Sequence, residues 1–237
     1  MICFFTSSPF CDGGGLNHAN GFYDRLRRAV FSPCVALDIC SSPDDAEKND
    51  FYAGLMRHDI ENAGFPFSEF AVLDRRNADQ TAELVEKAEL IILAGGHVPT
   101  QNRFFEEIGL RSALKKFHGV LIGISAGTMN SAETVYAHPE LDGEAVSEDY
   151  SRFLPGLGLT KANVLPHYNQ IRGGILDGLR LFEDVAYPDS MGRKFYVLPD
   201  GSYIYAEDGI EILCGEAWAI QNGKMTHINS DESVIEI

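Results

Sequence analysis

The segments 89–96 (ELIILAGG) and 119–125 (GVLIGIS) constrain the fold more than any other part of this sequence. Each is apolar at consecutive rather than alternate positions, and each ends in glycine or serine. A strand with one wet face alternates apolar and polar residues, whereas a run without alternation needs cover on both faces. Strands of that kind belong to parallel sheets clad by helices on either side.

The rest of the chain supplies partners for them. Residues 2–8, 34–42 and 67–74 read as further buried strands. Helices are expected at 22–30 and 43–64, the latter with Asp44 and Asp45 near its start and Gly64 at its stop, then at 79–88 and around 101–117. The last third changes character, with short alternating runs separated by Asp-Gly, Glu-Asp-Gly and Asn-Gly, the punctuation of hairpins. The expected architecture is α/β. Its core is a doubly wound, mostly parallel, flavodoxin-like sheet with helices on both faces, and short antiparallel strands follow near the C-terminus. At 237 residues, 45% of them hydrophobic, one domain over 1–237 suffices.

Charge and cysteine content narrow the function. A formal charge of −16 repels phosphate backbones and anionic lipid, so neither nucleic acid nor a membrane is an expected partner. Five cysteines without a CxxC pair support neither a disulfide framework nor a zinc ribbon. No run approaches the ~20 apolar residues that span a bilayer, and the N-terminus lacks the basic start of a signal peptide, so a cytoplasmic location is expected.

Residues 123–127, GISAG, fit the G-x-S-x-G pattern at a strand-to-helix turn. Small flanking residues allow a sharp turn that lifts the Ser125 hydroxyl above the carboxyl ends of the strands, where open α/β sheets bind ligands. The amide of Ala126 then points into the same space. A serine needs a base. Of seven histidines, His167 in NVLPHYN closes a short apolar segment and is the strongest candidate, while His138 is a candidate for the substrate side. Asp200, in YVLPDGSYIY, displays a carboxylate at a strand end, although Asp-Gly is also an ordinary hairpin turn.

Taken in order, the double glycine after IILA, the elbow GISAG, the histidine in PHYN and the late LPDG resemble the peptidase E and cyanophycinase group of serine peptidases. The resemblance covers roughly residues 35–205. It implies a sheet similar to that of class I glutamine amidotransferases and a triad of Ser125, His167 and Asp200. Asp200 stands where that group more often has glutamate. The oxyanion hole would be the amides of Gly96 and Ala126. The group's dipeptidases tend to show three glycines and an asparagine after the fourth strand; here Gly95, Gly96, His97 and Val98 follow, which puts His97 beside the expected substrate pocket. No metal or organic cofactor is expected.

The substrate implied is a peptide or small amide, with an aspartyl residue near the scissile bond as one option and Arg172 as the nearest cation to receive it. An esterase with the same triad, and a non-catalytic ligand-binding domain, stay open as alternatives. The chain is expected as a monomer or homodimer. Gly13, Gly14 and Gly15 would suit the hinge of a lid formed by residues 11–21.

Overall fold

The computed structural model describes residues 1–11 and 13–237. The N-terminal part alternates strand and helix: β1 (Ile2–Thr6), α1 (Phe22–Ala29), β2 (Cys34–Ile39), α2 (Ala46–Asn62), β3 (Phe67–Leu73), α3 (Thr81–Lys87), β4 (Leu90–Leu93), α4 (Val98–Glu107), α5 (Leu110–Ala113), β5 (Val120–Ile124) and α6 (Ala126–Asn130). Shorter pieces follow: β6 (Thr134–Tyr136), β7 (Phe153–Pro155), β8 (Asn163–Leu165), α7 (Tyr168–Ile171), β9 (Ile175–Leu176), β10 (Leu179–Arg180) and α8 (Tyr187–Asp189). The chain ends in strands, β11 (Lys194–Val197), β12 (Tyr203–Glu207), β13 (Ile210–Cys214), β14 (Ala217–Gln221), β15 (Lys224–Asn229) and β16 (Val234–Glu236).

Eight strands form the main sheet in the order β16-β13-β12-β1-β5-β4-β2-β3. The five from β1 to β3 are mutually parallel, and the other three are antiparallel additions at one side. The runs without alternation have the environment they require. Along β1, Phe4 and Phe5 enter opposite faces, and along β4 Ile91 and Leu93 face one way while Leu90 and Ile92 face the other. One face is covered by Val85 of α3, Phe104 and Phe105 of α4, and Leu110 of α5. The other is covered by Phe22 and Leu26 of α1 and by Met56 and Ile60 of α2. Burying one such side chain contributes about 1.5–3 kcal/mol, so the two layers together hold the sheet.

The order β3-β2-β4 places the topological reversal between β2 and β4. The chain leaves β2 through α2 on one face to reach β3, and then crosses through α3 on the other face to reach β4. Ligands of open α/β sheets enter the crevice that such a reversal leaves at the carboxyl ends of the strands. The start of α2 borders that crevice, and its register is fixed by the Asp45 side chain, which accepts the Lys48 amide at 3.1 Å.

A second sheet, β15-β14-β11-β8, packs its inner residues Val164, Tyr196 and Ala217 against the first of the two core layers. The expected hairpins at Glu207-Asp208-Gly209 and Asn222-Gly223 join β12 to β13 and β14 to β15. Asp200-Gly201 does something else. It carries the chain from β11 in the second sheet to β12 in the main one, so the strands it joins do not pair with each other. Among the described residues no helix is long and apolar enough to cross a membrane. Cys3, Cys34, Cys40 and Cys214 are buried free thiols, and Cys11 is an exposed one.

Candidate active site

Ser125 sits between β5 and α6 at φ 49°, ψ −108°, a conformation that L-residues rarely adopt. The turn that forces it is closed by glycine. A Cβ on Gly127 would lie 2.2 Å from the Leu93 carbonyl oxygen, and one on Gly123 would lie 2.9 Å from the Thr128 Cα. The elbow is fastened to the end of β1. The Ser125 amide donates to the carbonyls of Thr6 and Ser7, both at 3.1 Å, and Thr128 Oγ1 donates to the Thr6 carbonyl at 2.8 Å.

His167 follows β8 and is itself in the left-handed region, at φ 58°, ψ 37°. Its Nδ1 lies 2.7 Å from Asp200 Oδ1, and the carboxylate partner assigns the proton to Nδ1. Asp200 accepts two further hydrogen bonds, from Ser7 Oγ to Oδ1 at 2.6 Å and from Gln170 Nε2 to Oδ2 at 2.8 Å. Burial works to raise the Asp200 pKa, but the donors His167, Ser7 and Gln170 outweigh it and hold the carboxyl below its ordinary value. Asp200 therefore reaches His167 despite being one methylene shorter than glutamate.

Ser7 is the residue that sequence reasoning missed. Besides donating to Asp200, its hydroxyl accepts the His167 amide at 2.8 Å, and its carbonyl accepts the Ser125 amide. It is fully buried. Beyond its being polar at a strand end, nothing local to its sequence marks it.

As the first residue of α6, Ala126 has no intrahelical acceptor for its N–H. The Gly96 amide likewise has no acceptor among the described residues. His97 turns away from both. Its Nδ1 meets Thr100 Oγ1 and its Nε2 meets Glu144 Oε1, each at 2.8 Å, so it ties the start of α4 to the segment 139–150. Glu144 in turn accepts the amides of Glu140 and Leu141. Arg172 is exposed, with its guanidinium 5.9 Å from the Tyr168 ring centre, and it lines neither cavity described next.

Two cavities meet at Ser125, His167 and Gly96. The first, about 400 Å³, occupies the crevice between β2 and β4 and is lined by Asp38, Ser41, Lys48, Asn49 and Tyr52. The second, about 540 Å³, lies under the segment 165–181 and is lined by Met129, His138, Glu140, Ile171 and Leu181. His138 is buried there, and burial pushes its pKa down to about 4, so the ring is neutral. Glu140 is open to solvent on one side, yet crowding by the cavity wall and then the charge of Glu144 push its carboxyl up to about 7. A wider depression of about 910 Å³, near Asn163 and Glu211, lies apart from these groups. Of the segment 11–21, whose glycines would suit a lid hinge, Asp12 lies outside the described residues and no other member lines either cavity.

A mostly parallel sheet with two ligand-sized cavities above its carboxyl ends is the architecture of an open α/β ligand-binding fold. Residues 41–210 match the model of peptidase family S51, and the chain belongs to that family. The structure is similar to that of a peptidase from an acI-B1 Actinobacterium, with a TM-score of 0.71, 18% identity, and coverage of 100% of this chain and 96% of that one. It is also similar to a protein of Listeria monocytogenes EGD-e provisionally named a peptidase E, with a TM-score of 0.59, 14% identity, and coverage of 96% and 98%. No curated protein matches the chain.

Proposed function

We propose that the protein is a serine peptidase of short peptides, acting through Ser125, His167 and Asp200 by way of an acyl-enzyme. The single observation that carries this reading is the 2.7 Å contact between His167 Nδ1 and Asp200, in a histidine that shares both cavities with Ser125. With the proton of Nδ1 held by the carboxylate, Nε2 is the basic nitrogen. It takes the Ser125 proton as Oγ attacks the scissile carbonyl, and it then delivers that proton to the leaving amine. The amides of Ala126 and Gly96 receive the developing oxyanion; one such donor is worth about 3 kcal/mol of barrier. Water then attacks the acyl-enzyme with His167 as base again, freeing Ser125 and the acid product.

The two cavities have the size of small-ligand pockets, which suits peptides of a few residues. An aspartyl preference finds no arginine among the residues lining either cavity, and Lys48 is the cation nearest to hand.

The test is labelling by a fluorophosphonate, with the modified residue located by peptide mapping. Labelling at Ser125 that is lost in both Ser125→Ala and His167→Ala is the expected result. A folded wild-type protein inert to both a fluorophosphonate and a smaller sulfonyl fluoride would leave it a ligand-binding domain.

A further inference from the structure

The crevice between β2 and β4 contains a group for which the acyl-transfer chemistry has no use. Asp38 is the only charged residue of β2, and it faces the α2 side of the sheet at 2% exposure. Its Oδ1 is wholly enclosed and accepts no hydrogen bond. Among the described residues no donor compensates the carboxyl, and burial alone pushes its pKa up to about 7. Lys48 lines the same cavity, but among the described residues it forms no ion pair with Asp38 and does not offset the burial of its carboxyl. A buried carboxyl without a partner costs several kcal/mol, which a fold does not carry at a random position.

The place is not random. Asp38 lines the cavity that ends at Ser125 and His167, and that cavity sits at the reversal of strand order, where open α/β sheets receive ligands. Apart from Lys48, Ser125 and His167, the other polar side chains of the lining, Ser8, Ser41, Ser42, Asn49 and Tyr52, are neutral hydrogen-bonding groups, so Asp38 is the one carboxylate of the cavity. A ligand completing this site should bring positive charge and N–H donors. Among the described residues no three His, Cys, Asp or Glu side chains converge where they could share a metal ion, so the matching ligand is an organic cation.

We propose that Asp38 is a specificity-determining residue that anchors a protonated amine of the substrate while the scissile carbonyl lies at Ser125. The assignment rests on the reading of Ser125 as nucleophile for its catalytic meaning, but the amine site itself does not. An ammonium entering the crevice leaves its hydration behind and finds a carboxylate that ionises to meet it, so charge is neutralised where desolvation is already complete. An amide nitrogen or an acetylated amine offers N–H donors without the charge. The amine could be the α-amino group of a peptide or a lysine-type side chain, and the two are separable by experiment.

The experiment measures the rate of fluorophosphonate labelling at Ser125 in the presence of three small probes. L-alaninamide carries an α-ammonium, Nα-acetyl-L-lysinamide carries a side-chain ammonium, and Nα-acetyl-L-alaninamide carries neither. In the wild type one of the two amines should protect Ser125 at a concentration about ten-fold or more below the uncharged probe, and which one it is identifies the source of the amine. In Asp38→Asn the advantage should shrink to about two-fold or less, with the fold checked by circular dichroism and Asp38→Ser made as a second variant. Equal protection by all three probes, no protection by any in a protein that is labelled, or an advantage that survives in both variants would each overturn the proposal. If Ser125 is not labelled at all, the nucleophile reading fails separately. Calorimetric titration of the same probes into wild type and Asp38→Asn then decides the amine site: charge-selective binding that needs Asp38 upholds it, and its absence rejects it.

Discussion

The Ser7 hydroxyl donates to Asp200 Oδ1 over 2.6 Å, and the same oxygen accepts the His167 amide at 2.8 Å. Ser7 thus sets the distance between the histidine backbone and the carboxylate that its ring must meet. Because its carbonyl also receives the Ser125 amide, the end of β1 is the common reference for all three proposed catalytic residues.

Ser7→Ala should therefore slow labelling of Ser125 by about 10–100-fold while the protein stays folded, the loss of a buried hydrogen bond to a charged group being worth about 1.5–3 kcal/mol. A purely structural role would change stability alone. A positioning role also moves the pH profile, because Ser7 is one of the donors that hold the Asp200 pKa down. Without it the carboxylate takes up its proton at higher pH, so the acid limb of the labelling rate should shift upward in Ser7→Ala. An unmoved acid limb would argue against the positioning role.

Asp200→Asn should cut the labelling rate by about 10³–10⁴-fold, since an amide cannot enforce the same tautomer and orientation of the imidazole. Asp200→Glu should not be neutral, because three donors converge on the shorter carboxylate and a longer one must abandon at least one of them. The folded pKa of Asp200 lies below its ordinary value, so its contribution to stability is present above the unfolded carboxylate range and is lost as pH falls through the folded value. The stability gap between wild type and Asp200→Asn should accordingly narrow below about pH 4. Thermal melts of the two proteins across pH 3–7 would show it, and a gap constant with pH would contradict the assigned hydrogen bonds.

The parallel core was legible because burial on both faces leaves its mark in consecutive residues, as in IILA and VLIGI. The elbow was legible because Gly123, Ser125 and Gly127 satisfy one local turn. What stayed hidden depends on distant pairing. Ser7 and Asp200 lie 193 positions apart, and no local pattern announces their contact. Asp200-Gly201 carries the punctuation of a hairpin, but its flanking strands pair in different sheets, and that choice is made by β1, β8 and β14 rather than by the turn. Arg172 sits close to His167 in sequence, yet the left-handed turn at His167 and the short α7 bring its side chain over Tyr168 instead. Asp38 was visible in principle, as a single charge inside the apolar run CVALDIC.

Ser125 holds a backbone conformation that costs about 1–3 kcal/mol for a residue with a Cβ and almost nothing for glycine. Ser125→Gly should therefore raise stability by about 1 kcal/mol after the larger chain entropy of glycine is deducted, while abolishing labelling. Ser125→Ala keeps the Cβ and should abolish labelling without that gain. Denaturant melts of the two variants supply the comparison. If glycine is no better than alanine at this position, the elbow is not strained.

Asp38 makes the opposite kind of prediction, about pH. Its folded pKa, about 7, is raised above the ordinary carboxylate value, so the folded protein keeps a proton that the unfolded chain has already released. That contribution to stability is complete below about pH 4 and disappears as pH rises through 7, which leaves an unpaired buried charge at higher pH. Asp38→Asn has no proton to lose. Glu140 is raised to about 7 as well, so the informative quantity is the difference between wild type and Asp38→Asn rather than the wild-type curve alone. Between pH 5 and pH 8 the wild type should lose on the order of 2–4 kcal/mol relative to the variant, measured by urea melts without ligand. Saturation with the amine that protects Ser125 should return much of that loss at pH 8, because a bound cation stabilises the ionised carboxylate only in the folded state. A difference that does not change with pH would mean that Asp38 is already paired, and the crevice would then have no charge to offer a substrate.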